Sequence, residues 1–218
     1  MSKLKIAVAM SGGVDSSLAA SLLVEAGHEV VGVYLDCWGE PGCGIDENRK
    51  DAIRVSLKLG ISMKVLDFKK EYKERVMDWF FEEVEAGRTP NPDVLCNKEI
   101  KFGLFLDWAM KNNFDMVATG HYARLGKDER RLRTKYRKVR NPKRVNCKLY
   151  QAKDKHKDQT YFLAMVERSK FERVVFPIGG MLKSEVRREA KKRGDVASWF
   201  GKSCGGYVVF EESRAEAV

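Results

Sequence analysis

Residues 11–17 read Ser-Gly-Gly-Val-Asp-Ser-Ser, between the apolar run Ile6-Ala7-Val8-Ala9-Met10 and the helical pattern Leu18–Leu23. A buried strand therefore feeds a glycine-rich turn, and the turn feeds a helix. A helix start presents unpaired backbone N–H groups and the positive end of its dipole. Gly12 and Gly13 let the backbone approach an anion without a Cβ in the way, while Ser11, Ser16 and Ser17 add hydroxyl donors. The combination makes a cradle for phosphate or pyrophosphate. No lysine follows the glycines, as a Walker loop requires. The three spaced glycines of the dinucleotide fingerprint are also missing.

A second chemical group is Cys96, which follows Asn91-Pro92-Asp93 in a loop that opens into a helix. A thiol at a helix start is expected to have a depressed pKa and enhanced nucleophilicity. His121 follows an apolar strand, Met116–Thr119, and taken alone a single histidine there reads as a satisfied core imidazole. Lys157-Asp158-Gln159 reads, on its own, as a helix start with an aspartate cap. The five cysteines are odd in number and irregularly spaced, with no CxxC pair. That excludes a secreted disulfide framework and argues against a structural zinc site. Cys37 and Cys43 read as ordinary loop thiols ahead of a metal or cluster role, and Cys147 carries no motif.

The elements that must position these groups alternate. Strands are expected at Ile6–Met10, Glu29–Leu35, Ser62–Asp67 and Met116–Thr119. Helices are expected over about Asp15–Ala26, Asp46–Leu59, Lys70–Ala86 and Lys98–Asn112, with a further one near Lys183–Arg193. Gly87–Asn97 holds two prolines and needs no regular structure. Val76, Trp79, Phe80, Val84, Leu104 and Trp108 fall at helical spacing and read as core, with Glu82, Glu83 and Glu85 on a solvated face. The fold class is α/β, a parallel sheet with helices on both faces. After Arg124 the pattern becomes a hairpin with a charged insertion around Arg130–Arg144. Two regions follow: residues 1–155 as the catalytic domain, with a basic insertion at about 125–150, and residues 156–218 as the start of a smaller region.

The net charge is +10, and it is concentrated. Arg124–Lys157 carries fifteen Lys or Arg against three acids, so the remainder sums to about −2. Such a local excess suits a polyanion, most often nucleic acid. Tyr136 and Tyr150 are candidate stacking groups in the same stretch. No apolar run approaches the length of a membrane span, and Met1–Lys5 carries no signal-peptide pattern, so a cytoplasmic location is expected.

The Ser11–Ser17 loop resembles that of the ATP pyrophosphatases, whose fold is adenine-nucleotide alpha-hydrolase-like. Three further segments, taken in order, extend the likeness: Gly87–Phe102 with Asn-Pro-Asp-Val-Leu-Cys-Asn, Ala118–Arg124 with Gly-His-Tyr-Ala-Arg, and Lys157–Leu163 with Lys-Asp-Gln-Thr-Tyr-Phe-Leu. Together they resemble the tRNA-uridine 2-sulfurtransferases over roughly residues 5–193. The resemblance implies ATP-dependent 2-thiolation of the wobble uridine of tRNA through an adenylated intermediate. It implies that Ala9, Met10, Ser11, Gly12, Gly13, Val14, Asp15, Ser16, Leu35 and Gly120 line the ATP site, with Mg²⁺ accompanying the nucleotide. Cys96 matches the family's nucleophile, and Asp93 stands with it. Asn91, Pro92 and Asp93 match the contact with the target base, and His121, Lys157, Asp158 and Gln159 match tRNA contacts. A sulfur-relay protein or cysteine desulfurase is the implied donor, and the reaction leaves a disulfide to be reduced.

The chain departs from that family after Gly194. The family's second cysteine, which carries the persulfide, falls in a pattern like DSQGICF. Here Cys204 is the nearest match, with different flanks and a shorter separation from Gly194. The sequence stops at Val218, so the family's C-terminal β domains are expected to be missing. Two alternative readings are another ATP pyrophosphatase and a non-catalytic tRNA- or ATP-binding remnant. The Asn-Pro-Asp and Gly-His-Tyr segments argue against the first.

Overall fold

The chain builds, in order, β1 (Lys5–Ala9), α1 (Val14–Glu25), β2 (Glu29–Asp36), α2 (Ile45–Leu59) and β3 (Ser62–Asp67). Next come α3 (Lys69–Tyr72), continued through a π-helical stretch (Lys73–Met77) into α4 (Asp78–Glu85). A second continuous rod follows: α5 (Pro92–Leu95), a π-helical stretch (Cys96–Phe105) and α6 (Leu106–Lys111). The remainder comprises β4 (Met116–Ala118), β5 (Ala123–Lys127), β6 (Cys147–Gln151), 3₁₀ turns at Thr160–Leu163 and Arg168–Arg173, β7 (Val174–Val175) and α7 (Lys183–Lys192). This computed structural model describes residues 3–37, 45–127 and 147–193.

β1, β2, β3, β4 and β7 form one parallel sheet in the order β3-β2-β1-β4-β7. Successive β1 residues face opposite sides of the sheet, and both sides are buried. Ile6, Val8 and Met10 pack with Ala20, Leu23, Ala52 and Val55 of α1 and α2. Ala7 packs on the other face with Phe102, Phe105, Leu106 and Phe171. A strand without a polar face is what helices on both sides of a parallel sheet demand, so the expected α/β architecture is present.

The strand order sets the site. From β1 the chain runs outward one way to β2 and β3, then returns to the other side of β1 for β4. Open α/β sheets bind ligands in the crevice at such a reversal, here beyond the carboxyl ends of β1 and β4. The loop Met10–Gly13 leaves one side of it and Thr119–His121 the other.

β7 extends the sheet from β4, and α7 packs along α1, so residues 174–192 share the core of the amino-terminal half. β5 and β6 pair antiparallel, with Ala123 opposite Gln151 and Lys127 opposite Cys147, which is the expected hairpin. The charged insertion at 130–144, with Tyr136, lies outside the described residues.

Two expectations needed correction. Gly87–Asn97 is not wholly irregular, because helix begins at Pro92. Proline suits the first helical position, where its missing N–H is not needed, and the Asn91 side chain caps the turn by accepting the Asp93 N–H at 3.0 Å. The core stripe is also narrower than its spacing suggests. Val76 is fully buried, but Val84 at the far end of α4 is 48% exposed.

Candidate active site at the carboxyl edge of the sheet

The glycine-rich loop is held open from within. Ser16 Oγ accepts the Ser11 N–H (3.2 Å) and donates to the Gly13 carbonyl (3.1 Å), and Ser17 Oγ donates to the same carbonyl (2.9 Å). The serines therefore first shape the loop. No side chain caps α1, whose N-cap position is Gly13. Its first-turn N–H groups and dipole are thus left facing the crevice, the arrangement that takes a phosphate.

Three glycines differ sharply in what they permit. Gly12 sits at φ +80°, and a Cβ there would strike the Asn48 carbonyl of α2. Gly120, just after β4, lies against the loop itself: a Cβ would come within 2.7 Å of Ser16 N and 2.8 Å of Asp15 C. Gly13 has room, with only Ser11 Oγ at 3.5 Å. Gly120 is thus the close approach that locks the two sides of the crevice together.

Asp15 is engaged by two distant segments. Its Oδ1 accepts a hydrogen bond from Tyr122 Oη at 2.7 Å, and Lys183 Nζ lies 2.7 Å from both of its oxygens. Neither Tyr122 nor Lys183 was singled out from sequence; only the folded topology joins them to a residue more than a hundred positions away.

The second half of the site lies at the end of β2. Leu35 and Cys37 pack against a cluster of Val76, Leu95 and Ile100 that also holds Tyr72, Trp79 and Cys96. Asp36 is buried between them in sequence, with Oδ2 3.1 Å from Lys69 Nζ and Oδ1 without a hydrogen-bond partner among the described residues. Asn97 is likewise buried: its Nδ2 donates to the Asp93 carbonyl at 2.9 Å, and its Oδ1 has no partner among the described residues.

Burial raises the Cys96 thiol above its ordinary pKa, Lys101 pulls it back down, and Asp93 pushes it up again. The expected depression is therefore reversed in this structure. Cys96 lies a full turn inside the helical rod, past the first N–H groups, so desolvation outweighs the dipole. Cys37 is pushed up to about 12, first by burial and then by its proximity to Cys96. Asp93 stands exposed at the rim, yet desolvation raises its carboxyl while Lys101 opposes the rise. Lys101 thus acts electrostatically on Cys37, Asp93, Cys96 and His121 at once. Its helical position gave no sequence signal for that role.

His121 is 7% exposed. Its Nδ1 is 2.7 Å from Thr119 Oγ1, and its ring lies 5.9 Å from those of Phe102 and Phe176. Burial holds its pKa well below the ordinary imidazole value, with Lys101 adding to the effect. This is the geometry of a neutral core imidazole. In the Lys157-Asp158-Gln159 stretch, Asp158 accepts from the Ala152 N–H (2.7 Å) and the Thr160 hydroxyl (2.5 Å), and Gln159 Oε1 accepts the Tyr122 N–H (2.9 Å). Lys157 faces solvent.

Cys37, Cys96 and Cys147 are free thiols, and Cys204 lies outside the described residues. Among the described residues no three His, Cys, Asp or Glu side chains come together as metal ligands, and no helix is long and apolar enough to cross a membrane.

Residues 4–198 match a family model described as the tRNA methyl transferase HUP domain. Among curated proteins, the tRNA-specific 2-thiouridylase MnmA of Pediococcus pentosaceus is 44% identical over 197 residues, which is 88% of this chain and 48% of that protein. The protein of the same name from Akkermansia muciniphila is 45% identical, covering 87% of this chain and 50% of its own length. The chain thus spans about half the length of these relatives. Among solved structures, an NH3-dependent NAD synthetase from Campylobacter jejuni superimposes with a TM-score of 0.50 at 19% identity, over 93% of this chain and 71% of its own. A predicted subunit of tRNA methyltransferase from Methanocaldococcus jannaschii gives 0.51 at 16% identity, over 86% and 74%. At such identities the likeness is one of fold.

Proposed function

Because the chain belongs to the tRNA methyl transferase HUP domain family and is 44–45% identical to tRNA-specific 2-thiouridylases over about half their length, we propose that it carries the ATP-dependent step of tRNA uridine 2-thiolation. The observation that carries this reading is the uncapped start of α1 at the sheet's reversal point, closed from the other side by Gly120. That crevice suits the phosphates of ATP.

In this account Ala9 to Ser16, Leu35 and Gly120 surround the nucleotide. The loop's N–H groups stabilise the departing pyrophosphate, since charge develops there as the bond to the α-phosphorus breaks. The uridine O2 takes the AMP group, turning a poor leaving group into a good one. A sulfur nucleophile then attacks C2, forming the C–S bond while AMP leaves with its oxygen. Asn91, Pro92 and Asp93 stand at the exposed rim where the base would enter, beside the Cys96 thiol. The Cys96 thiolate would attack the inner sulfur of a cysteine persulfide, forming a protein disulfide and releasing hydrosulfide, the nucleophile that attacks C2; a dithiol reductant then restores both cysteines. The raised pKa of Cys96 keeps it protonated at rest, and Lys101 is the group that favours its thiolate. Lys157 offers a phosphate contact on the open surface. Mg²⁺ would accompany the ATP phosphates and neutralise their charge, keeping several of its own waters. The sulfur donor would be a relay protein or desulfurase, with Cys204 as the candidate persulfide carrier.

The test is to incubate the chain with tRNA, Mg-ATP and a persulfide donor and to analyse the tRNA nucleosides by mass. Appearance of 2-thiouridine that requires ATP supports the reading. Pyrophosphate release on an acceptor other than tRNA would favour a different ATP pyrophosphatase. tRNA binding with no release would favour a binding module.

A further inference from the structure

An anion-binding loop that contains a carboxylate faces a conflict. Asp15 lies in the first turn of α1, two residues past Gly13, where the helix dipole attracts negative charge. A side chain settled there competes with a phosphate for the same field and repels it. The structure removes the conflict with one cation. Lys183 Nζ bridges both Asp15 oxygens at 2.7 Å, and the Tyr122 hydroxyl takes a further bond to Oδ1. Both partners are partly shielded from solvent, with side-chain exposures of 19% for Lys183 and 31% for Asp15.

Lys183 is held for this purpose at the start of α7. Asp154 accepts the Lys183 N–H at 2.9 Å, and Glu185 accepts the Leu182 N–H at 2.7 Å while pairing with Lys153 at 3.0 Å. At the other end of α7, Arg193 bonds Glu25 of α1. The two helices are therefore pinned to each other at both ends, and Lys183 cannot drift from the loop without breaking these bonds.

We propose that Lys183 is a positioning residue for the ATP step, acting as the counter-charge that neutralises Asp15 and so lets the loop accept pyrophosphate. It acts through Asp15 rather than by touching the phosphates. The proposal rests on the reading of Ser11–Ser17 as the phosphate loop. A lysine that contacted phosphate directly would be lost irreversibly on substitution. A counter-charge would be dispensable once the carboxylate was gone.

The experiment is calorimetric titration of inorganic pyrophosphate into the full chain at fixed ionic strength. The wild type is compared with Lys183→Met, Asp15→Asn and the double variant. Lys183→Met should weaken binding about tenfold, by exposing an unpaired carboxylate to the ligand. The penalty should shrink as salt is raised. The double variant should bind within about threefold of Asp15→Asn alone, because the counter-charge then has no carboxylate left to neutralise. A further loss of about tenfold on adding Lys183→Met to Asp15→Asn overturns the proposal in favour of direct phosphate contact, and unchanged binding by Lys183→Met overturns it outright. If Lys183→Met does not fold, the comparison of Asp15→Asn with the double variant decides: a loss of about tenfold between them overturns the proposal. A wild type that binds no pyrophosphate removes the loop reading and this inference together.

Discussion

Gln159 holds the backbone of Tyr122 from both directions: its side-chain oxygen accepts the Tyr122 N–H at 2.9 Å, and its own N–H donates to the Tyr122 carbonyl at 2.9 Å. Tyr122 in turn bonds Asp15 of the phosphate loop. A segment that resembles a tRNA-contacting triplet is thereby one residue removed from the glycine-rich loop proposed to hold ATP. Gln159→Ala leaves the part-buried Tyr122 N–H without its partner, costing about 1–3 kcal/mol. A drop in thermal stability together with weaker pyrophosphate binding is expected. Loss of tRNA binding with an unchanged melting temperature would contradict the structural role.

The glycines make a graded prediction. Gly120→Ala drives a Cβ into the backbone of Asp15 and Ser16, and Gly12→Ala adds a strained φ to its clash with α2. Each should destabilise by about 1–3 kcal/mol and abolish ATP binding. Gly13→Ala meets only the Ser11 hydroxyl at van der Waals distance and should fold with a near-normal melting temperature. Differential scanning calorimetry of the three variants checks the ranking.

Cys96 should be a slow thiol at neutral pH. Because burial raises its pKa, its alkylation rate should still be climbing above pH 9.0, the ordinary thiol value. Lys101→Met removes a charge that lowers it, so the profile should move further to alkaline pH. Peptide mapping after timed iodoacetamide treatment reads both. A fast reaction at pH 7 would show that the apolar surroundings do not control this thiol. Cys37, pushed up to about 12, should remain unmodified throughout.

His121 ties stability to pH. Its folded pKa is depressed below 6.5, so the unfolded chain binds the proton more readily. Its contribution is complete above pH 6.5 and is lost as the pH falls through that value towards the depressed folded one. The melting temperature should therefore decline below about pH 6.5, with a shallower decline in His121→Phe. Parallel curves for the two proteins would remove His121 as the cause.

Four of the sheet's five strands were legible as short apolar runs bounded by glycine or helix signals, as at Ile6–Met10 and Glu29–Leu35, whereas β7 (Val174–Val175), two residues long, carries too little pattern to be read. The phosphate loop was legible for the same reason: strand, glycines and helix are contiguous. Pro92 hid the start of its helix, since proline signals breakage and N1 placement alike. Cys96 and Asp93 are close in sequence, but the thiol's ionisation depends on Leu35, Tyr72 and Trp79 arriving from other segments, so the expected depression gives way to a rise. Lys101, Tyr122 and Lys183 stood out by neither type nor spacing. Tyr122 and Lys183 gain their roles only when the segment after β4 and the start of α7 meet Asp15, and Lys101 only when its rod lies near Cys37 and His121.

The central claim is that the crevice between β1 and β4 binds ATP and splits off pyrophosphate for a tRNA acceptor. The most direct measurement is pyrophosphate release from ATP by the full chain, with and without unmodified tRNA, using Gly120→Ala as the control. The account predicts release that depends on tRNA and disappears in Gly120→Ala. Release that Gly120→Ala retains, or no release with any tRNA, would contradict it.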